Sequence, residues 1–257
     1  MTSDNTDYAK VAAHYDSLAA NGPYASLAPG NKGGRKGEYV AAVFDAALLP
    51  RLQVHEALER VLDFGCGTGI FTRQAAAHAR EVIGIDVSPG MLEQAAQVCD
   101  GLPNVRLLHT DGSRVPLPDG CVDMVVARET LCYVPDAQIA PLLKEILRVT
   151  KAGGAFLWLE QVSNAPHWQH HPRAPRLVKR SPGSLRSIAR QAGWRVESEQ
   201  LVRTPRFPWI YAVQAGLIPR PLMQRIARWE VALHSLLPHA SRRWWNALFV
   251  LRKPADG

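Results

Sequence analysis

The chain has 257 residues, 47% hydrophobic and 21% charged, a balance that excludes wholesale disorder and suits one α/β domain with additions. It lacks an apolar run of about 18 residues, so no spanning helix is expected, and its polar first residues, Met1 to Asp7, do not look like a secretion signal. The net charge of +7 is uneven: residues 1–160 carry 14 Lys+Arg against 19 Asp+Glu, and residues 161–257 carry 16 against 4.

Tyr8, Val11, Ala12, Tyr15 and Leu18 recur at helical spacing, predicting a helix over 7–19 that Asn21-Gly22-Pro23 breaks. Residues 29–37 form a Gly-rich basic loop, and a helix is expected from Glu38 to Leu49, stopping at Pro50. Strands and helices then alternate. Arg60–Phe64 reads as a strand, Ile70–Ala79 as a helix, and Glu81–Asp86 as a strand. Ser88 caps a helix through Val98, and Val105–His109 and Val122–Ala127 read as strands. Asp136 is the expected cap of a helix with Ile139, Leu142, Leu143, Ile146 and Val149 on one face, ended by Gly153. Ala155–Leu159 is a strand, Ser184–Ala192 a helix, and Trp194–Leu201 and Trp245–Leu251 the last strands. Such alternation means βαβ units and a parallel sheet.

Two stretches interrupt this pattern. Residues 161–180 concentrate His167, Trp168, His170, His171 and four basic residues. Residues 202–244 hold Leu222, Ile226, Trp229, Leu233 and Leu236 at helical spacing, a stripe expected to be buried against the core. The four cysteines (Cys66, Cys99, Cys121, Cys132) lie far apart without a CxxC pair, which fits a reducing cytoplasm. His-x-x-His-His without Cys or acidic company is a poor ligand set, and no metal is expected.

The chemistry is carried by Val61-Leu62-Asp63-Phe64-Gly65-Cys66-Gly67-Thr68-Gly69, a strand, a tight turn and a helix start. A dinucleotide fingerprint needs GxGxxG, but position 70 is Ile70, and an acid precedes the first glycine by two residues. Asp63 would repel a pyrophosphate, whereas it suits the ammonium of an amino acid. Asp86 ends the next strand, where a carboxylate accepts ribose hydroxyls. Thr110-Asp111-Gly112 ends the third, where Asp111 can accept an adenine amine. Open α/β sheets bind ligands at these strand ends.

These segments, with Leu147-Arg148-Val149-Thr150-Lys151-Ala152-Gly153-Gly154, resemble the class I S-adenosylmethionine-dependent methyltransferases, over roughly residues 58–160. The resemblance implies a Rossmann-like, mostly parallel seven-stranded α/β sheet with an antiparallel last strand and helices on both faces. To this it adds an N-terminal helical cap over 1–57, a cofactor core over 58–160, and acceptor-side inserts over 161–180 and 202–244. It implies S-adenosylmethionine on Tyr15, Asp63, Gly65, Cys66, Gly67, Gly69, Asp86, Val87, Met91, Thr110, Asp111, Gly112 and Arg128. Met91 would pack on the adenine, and Tyr15 would close over the donor. The loop Asn31–Lys36 could bring a cation to the cofactor carboxylate, or be plain surface.

A methyl on a sulfonium transfers by in-line displacement, so the protein mainly aligns the nucleophile and removes water. A hydroxyl acceptor gains from a general base. The candidates are Glu129, Tyr133, Glu160 and His167, with His170 and His171 beside it. The absence of Asn-Pro-Pro-Tyr speaks against nucleic acid. Residues 206–220 loosely resemble the tails of bacterial methyltransferases of surface-polysaccharide or specialised-metabolite pathways. The expected acceptor is an enclosed small molecule or sugar, acidic or glycosidic, methylated on oxygen or nitrogen by a monomer or homodimer. Contact with an anionic membrane surface is the less favoured role for the basic half. A cofactor-binding partner subunit, or an enzyme that cyclises or cleaves the cofactor itself, stays open.

Overall fold

The computed structural model describes residues 8–24, 27, 34–53, 58–165, 167–171, 174–204, 207–236 and 244–255, with the side chains of 167–171 and 174 outside that description. In chain order the elements are α1 (Tyr8–Ala19), α2 (Arg35–Gln53), β1 (Leu58–Phe64), α3 (Ile70–Ala75), β2 (Ala79–Asp86) and α4 (Pro89–Val98). They continue with β3 (Val105–His109), β4 (Val122–Arg128), a 3-10 turn (Leu131–Tyr133), α5 (Asp136–Val149), β5 (Thr150–Val162), β6 (His167–His171) and β7 (Ala174–Lys179). The chain closes with α6 (Pro182–Gln191), β8 (Arg195–Arg203), α7 (Pro208–Gln214), α8 (Arg220–Ser235) and β9 (Trp245–Arg252).

Strand periodicity dictates the layers. Along β5, Phe156 and Trp158 join one buried cluster, and Ala155, Leu157 and Leu159 join another. A strand apolar on both sides must be covered on both. The first cluster is completed by α5 and α6, the second by α2, α7 and α8. The sheet order is β3-β2-β1-β4-β5-β9-β8. Strands β1 to β5 pair in parallel, and β9 runs antiparallel to both β5 and β8. The expected seven-stranded sheet with an antiparallel last strand is therefore present. A separate antiparallel hairpin, β6–β7, occupies the first insert.

Several helix ends differ from expectation. Helix α2 passes Pro50 to Gln53, its last turns held by the buried Leu48 and Leu52; packing outweighs the one backbone bond a proline removes. Helix α3 stops at Ala75, where Asn104 Nδ2 donates to the Ala76 and Ala79 carbonyls (2.8 and 3.1 Å) and turns the chain into β2. Asp136 is not a cap: Pro135 holds that position, and Asp136 pairs with Arg180 at 2.7 Å. Helix α5 ends at Val149, not Gly153, because Thr150 is already extended, with its hydroxyl bonded to the Ile146 carbonyl. Ser88 caps α4 as expected, accepting from the Met91 amide at 3.0 Å.

The largest correction is α8. Met223, Ala227, Glu230, Val231 and His234 face inward, while Leu222, Trp229, Leu233 and Leu236 are exposed, Trp229 by 77%. Of the predicted stripe, Ile226 packs partly against the core and the other four residues are exposed. The inward face is fixed by polar bonds: Tyr39 Oη donates to Glu230 Oε2 at 2.5 Å, and Thr204 Oγ1 lies 3.2 Å from His234 Nε2. No described helix is long and apolar enough to cross a membrane.

Candidate active site

The turn after β1 is shaped by backbone that glycine favours. Gly65, Gly67 and Gly69 all have positive φ (73°, 53° and 77°). A Cβ on Gly65 would stand 2.4 Å from Thr130, and one on Gly69 2.9 Å from Ala95. The Gly65 and Cys66 amides both donate to the Ile85 carbonyl at 2.9 Å, fastening the turn to β2. Cys66 contributes backbone; its side chain is buried and rests where Gly84 leaves room.

Asp86 stands at the end of β2, its carboxylate accepting from the Gly67 amide (2.8 Å) and the Ser88 amide (3.0 Å). Burial raises its pKa against these two donors. Val87 follows, its carbonyl accepting from His109 Nε2 at 3.2 Å. At the end of β3, Thr110 is buried and bonded to the Arg114 carbonyl, whereas Asp111 is exposed and accepts from the amide and hydroxyl of Ser113. Gly112 has φ 83°, and the Tyr8 ring lies against it; a Cβ there would meet that ring at 2.8 Å. Tyr8 is a site neighbour that sequence reasoning missed, since it reads as one more apolar position of α1.

Helix α1 is drawn across these strand ends. Asp16 Oδ1 accepts from Ser88 Oγ (2.5 Å) and the Gly90 amide (2.8 Å), and Thr68 Oγ1 donates to the Pro23 carbonyl (2.5 Å). The Tyr15 and Tyr133 hydroxyls are 2.7 Å apart, with their rings edge-on. Burial raises both phenols, so both are neutral donors at neutral pH.

Three of the expected cofactor residues are buried in this structure. Asp63 has no exposed surface; its Oδ2 accepts from Thr72 Oγ1 at 2.6 Å, and its Oδ1 has no hydrogen-bond partner among the described residues. Arg128 points into the protein, 3.6 Å from Asp45 and stacked on the Phe71 ring at 4.6 Å. Met91 is fully buried in the body of the fold. Buried ion pairing and apolar packing claim these side chains. Residues 31–33 of the basic loop lie outside the described residues.

The acceptor candidates Glu129 and Tyr133 follow β4 and lie near each other, and Glu160, near the end of β5, lies near Glu129. Glu129 has φ 53°, an unusual conformation for a residue with a side chain. Asn246 Nδ2 donates to Glu129 Oε1, and Arg203 Nη1 donates to Asn246 Oδ1 at 3.3 Å. Glu160 is buried, accepting from Trp158 Nε1 (3.3 Å) and the Gln161 amide (3.1 Å). Burial, then the neighbouring Glu129, pushes it from an ordinary 4.5 up to about 7. Buried Lys179 sits 4.0 Å over the Trp244 ring. Arg180 bonds the Leu131 carbonyl and Asp136, holding the turn that carries Tyr133. His167, His170 and His171 lie on β6, with their side chains outside the described residues; the described residues contain no metal-binding cluster. Sequence reasoning missed Arg203 and Asn246; Asn246 carries a signal, a polar residue inside the otherwise apolar β9, whereas Arg203 ends a strand already rich in polar residues.

A glycine turn after β1, carboxylates ending β2 and β3, and an antiparallel seventh strand define the class I S-adenosylmethionine-dependent methyltransferase fold. Residues 61–154 match the family model described as a methyltransferase domain. The demethylmenaquinone methyltransferase of Staphylococcus aureus (strain MRSA252) is 39% identical over 104 residues, 39% of this chain and 42% of the relative. The chain therefore spans about two fifths of the length of the curated relatives it matches. Among solved structures, the [4+2]-cyclase SpnF is 25% identical, with a TM-score of 0.63, over 84% of this chain and 83% of its own. A DhpI complex with SAH, 18% identical, has the same fold with a TM-score of 0.62, over 98% of both chains. The residues present fit S-adenosylmethionine: an open glycine backbone, an Asp86 carboxylate already gathering donors, and a second carboxylate, Asp111, one strand away.

Proposed function

We propose that the chain transfers a methyl group from S-adenosylmethionine to an oxygen or nitrogen of a small-molecule acceptor. When bound, the cofactor supplies a methyl group on a sulfonium. The chain's own residues bind it, exclude water and take the acceptor's proton. Gly65 to Gly69 and Asp86 hold the cofactor, with Asp111 beyond, and α1 shuts the cleft through Tyr15 and Tyr133. Glu129 receives the proton at its carboxylate. The observation that carries this reading is its strained backbone, gripped through Asn246 at the end of β4. Glu160 behind it is a second place for a proton near neutral pH. The buried bases Lys179 and Arg203 favour an acceptor with an acidic or polyhydroxylic group.

The test is incubation with the cofactor and a panel of hydroxyl and amine acceptors, read as the mass gain of one methylene. On an acceptor so found, Glu129→Gln should lower kcat by about 10²-fold or more, a general base contributing about 10²–10⁴-fold, with cofactor affinity within about twofold. A variant that keeps a third of the turnover removes Glu129 from this role. The likeness to SpnF, a [4+2]-cyclase, supports a second reading, in which the same fold serves a reaction other than methyl transfer. Tight cofactor binding with no methylated product across the panel selects it.

A further inference from the structure

The exposed face of α7 and α8 is unlike the rest of the surface. Trp209 and Tyr211 on α7, Leu217 in the connecting turn, and Leu222, Trp229, Leu233 and Leu236 along α8 are all exposed, Trp229 by 77% and Leu236 by 81%. The α8 residues fall at spacings of seven, four and three, which places them on one stripe. Arg225 and Arg228 are exposed on the flank of that stripe away from the core. The only acid between Phe207 and Leu236 is Glu230. It is buried and bonded to Tyr39, so the outer face carries positive charge alone. The inward face is fully engaged through Met223, Ala227, Val231 and His234, so the helix cannot roll its stripe inward without breaking the Tyr39–Glu230 bond.

We infer that the outer face of α7–α8 docks on an anionic lipid surface. Charge decides among the occupants. Two copies meeting through this face would oppose arginine to arginine with no acid on either side. An anionic headgroup layer supplies the missing charge, at about 1 kcal/mol per basic residue near it. Leucines and Trp229 on the stripe, with Trp209 and Tyr211 on the adjoining α7, match the boundary between headgroups and acyl chains, into which an amphipathic helix sinks by about 5–10 Å. Neither α7 nor α8 is long and apolar enough to span, so the contact is peripheral. The inner side of α8 contributes Glu230 beside the strand that carries Arg203, so docking sets the acceptor end of the site near the lipid. The docking itself does not depend on the methyl-transfer reading.

The experiment is flotation of the full chain with phosphatidylcholine vesicles, with and without about a third phosphatidylglycerol, at low and high salt. Binding is expected on the anionic vesicles alone, falling steeply as salt shortens the screening length. Arg225→Glu with Arg228→Glu should weaken it by at least about 25-fold, about fivefold for each lost charge. Trp229→Ser should weaken it severalfold while circular dichroism and cofactor binding stay unchanged. No binding to anionic vesicles overturns the inference, as does binding indifferent to all three substitutions. Concentration-dependent dimers in sedimentation velocity that Trp229→Ser dissolves would assign the face to a second copy and overturn it too.

Discussion

Residues 58–160 and residues 161–257 share one sheet but solve different problems. In the first, Asp86 and Asp111 stand at the ends of β2 and β3, and the buried charges Asp63, Arg128 and Glu160 sit near the ends of β1, β4 and β5; the glycine turn is fastened to β2 and, through Thr68, to Pro23. In the second, polar groups are buried and apolar ones exposed: Arg203, Glu230, His234 and Asn246 lie inside, and Trp229 and Leu236 lie outside. The cofactor end binds one fixed ligand chemistry with little but backbone and carboxylates. The other end buries charges that each need a partner and turns large apolar side chains outward. Buried charge is costly unless paired, so the second half has less freedom to vary inside than its basic, irregular sequence suggests.

The sharpest way to break this division is Asp86→Ala. It should cost about 1.5–3 kcal/mol of cofactor affinity through lost charge-assisted bonds, measured by calorimetry, while the thermal stability of the α2–α8 packing holds. Unchanged affinity would mean that the cofactor is held elsewhere. Asn246→Leu tests the other end. It removes the bridge between Arg203 and Glu129, and turnover should fall about tenfold, from the cost of an unpaired buried group. Cofactor affinity should stay level; a matching loss in both would dissolve the distinction.

Glu230 sharpens the contrast through pH. Burial raises it from 4.5 to about 7, against the Tyr39 hydrogen bond and the nearby Arg203; His234 Nδ1 stands 3.9 Å from its carboxylate. Between those values the folded chain keeps a proton that the unfolded chain has lost. The folded state therefore binds more protons, and stability falls as pH rises from about 4.5 to 7, then levels. Glu230→Gln should flatten this window by about 1–3 kcal/mol in denaturant titrations; an identical slope in the variant would place the proton on another group. The smallest effect belongs to the exposed stripe. Trp229→Ser should change stability by less than about 0.5 kcal/mol. Val231→Ala, on the inward face two residues away, should cost about 1–2 kcal/mol as a large-to-small core change. Equal costs would mean that both faces are packed.

How far the sequence could be read follows the same line. The strands of the first half are continuous apolar runs bounded by turns, and the glycine pattern constrains the backbone so tightly that its place after β1 was legible. Helix ends were not, because Pro50 and Ala76 are decided by packing and by the distant Asn104. Asp63 and Arg128 were legible as charges at strand ends, but not their burial, which depends on Thr72 and on Asp45 and Phe71 from other elements. On α8 the periodicity was real and its direction was misread. A face containing Glu230 and His234 does not look like core, and only Tyr39 and Thr204, far away in sequence, make it one. Arg203 and Asn246 depend in the same way on each other and on Glu129.

Asp16 holds Ser88 and Gly90, Thr68 holds Pro23, and Tyr15 holds Tyr133. Each bond joins the N-terminal segment to a part of the chain that lines the cofactor cleft. A cofactor held at these strand ends would sit under several bonds that span the N-terminal segment, so Asp16→Ala, which removes two of them, is expected to speed cofactor release in stopped-flow measurements while leaving the sheet intact.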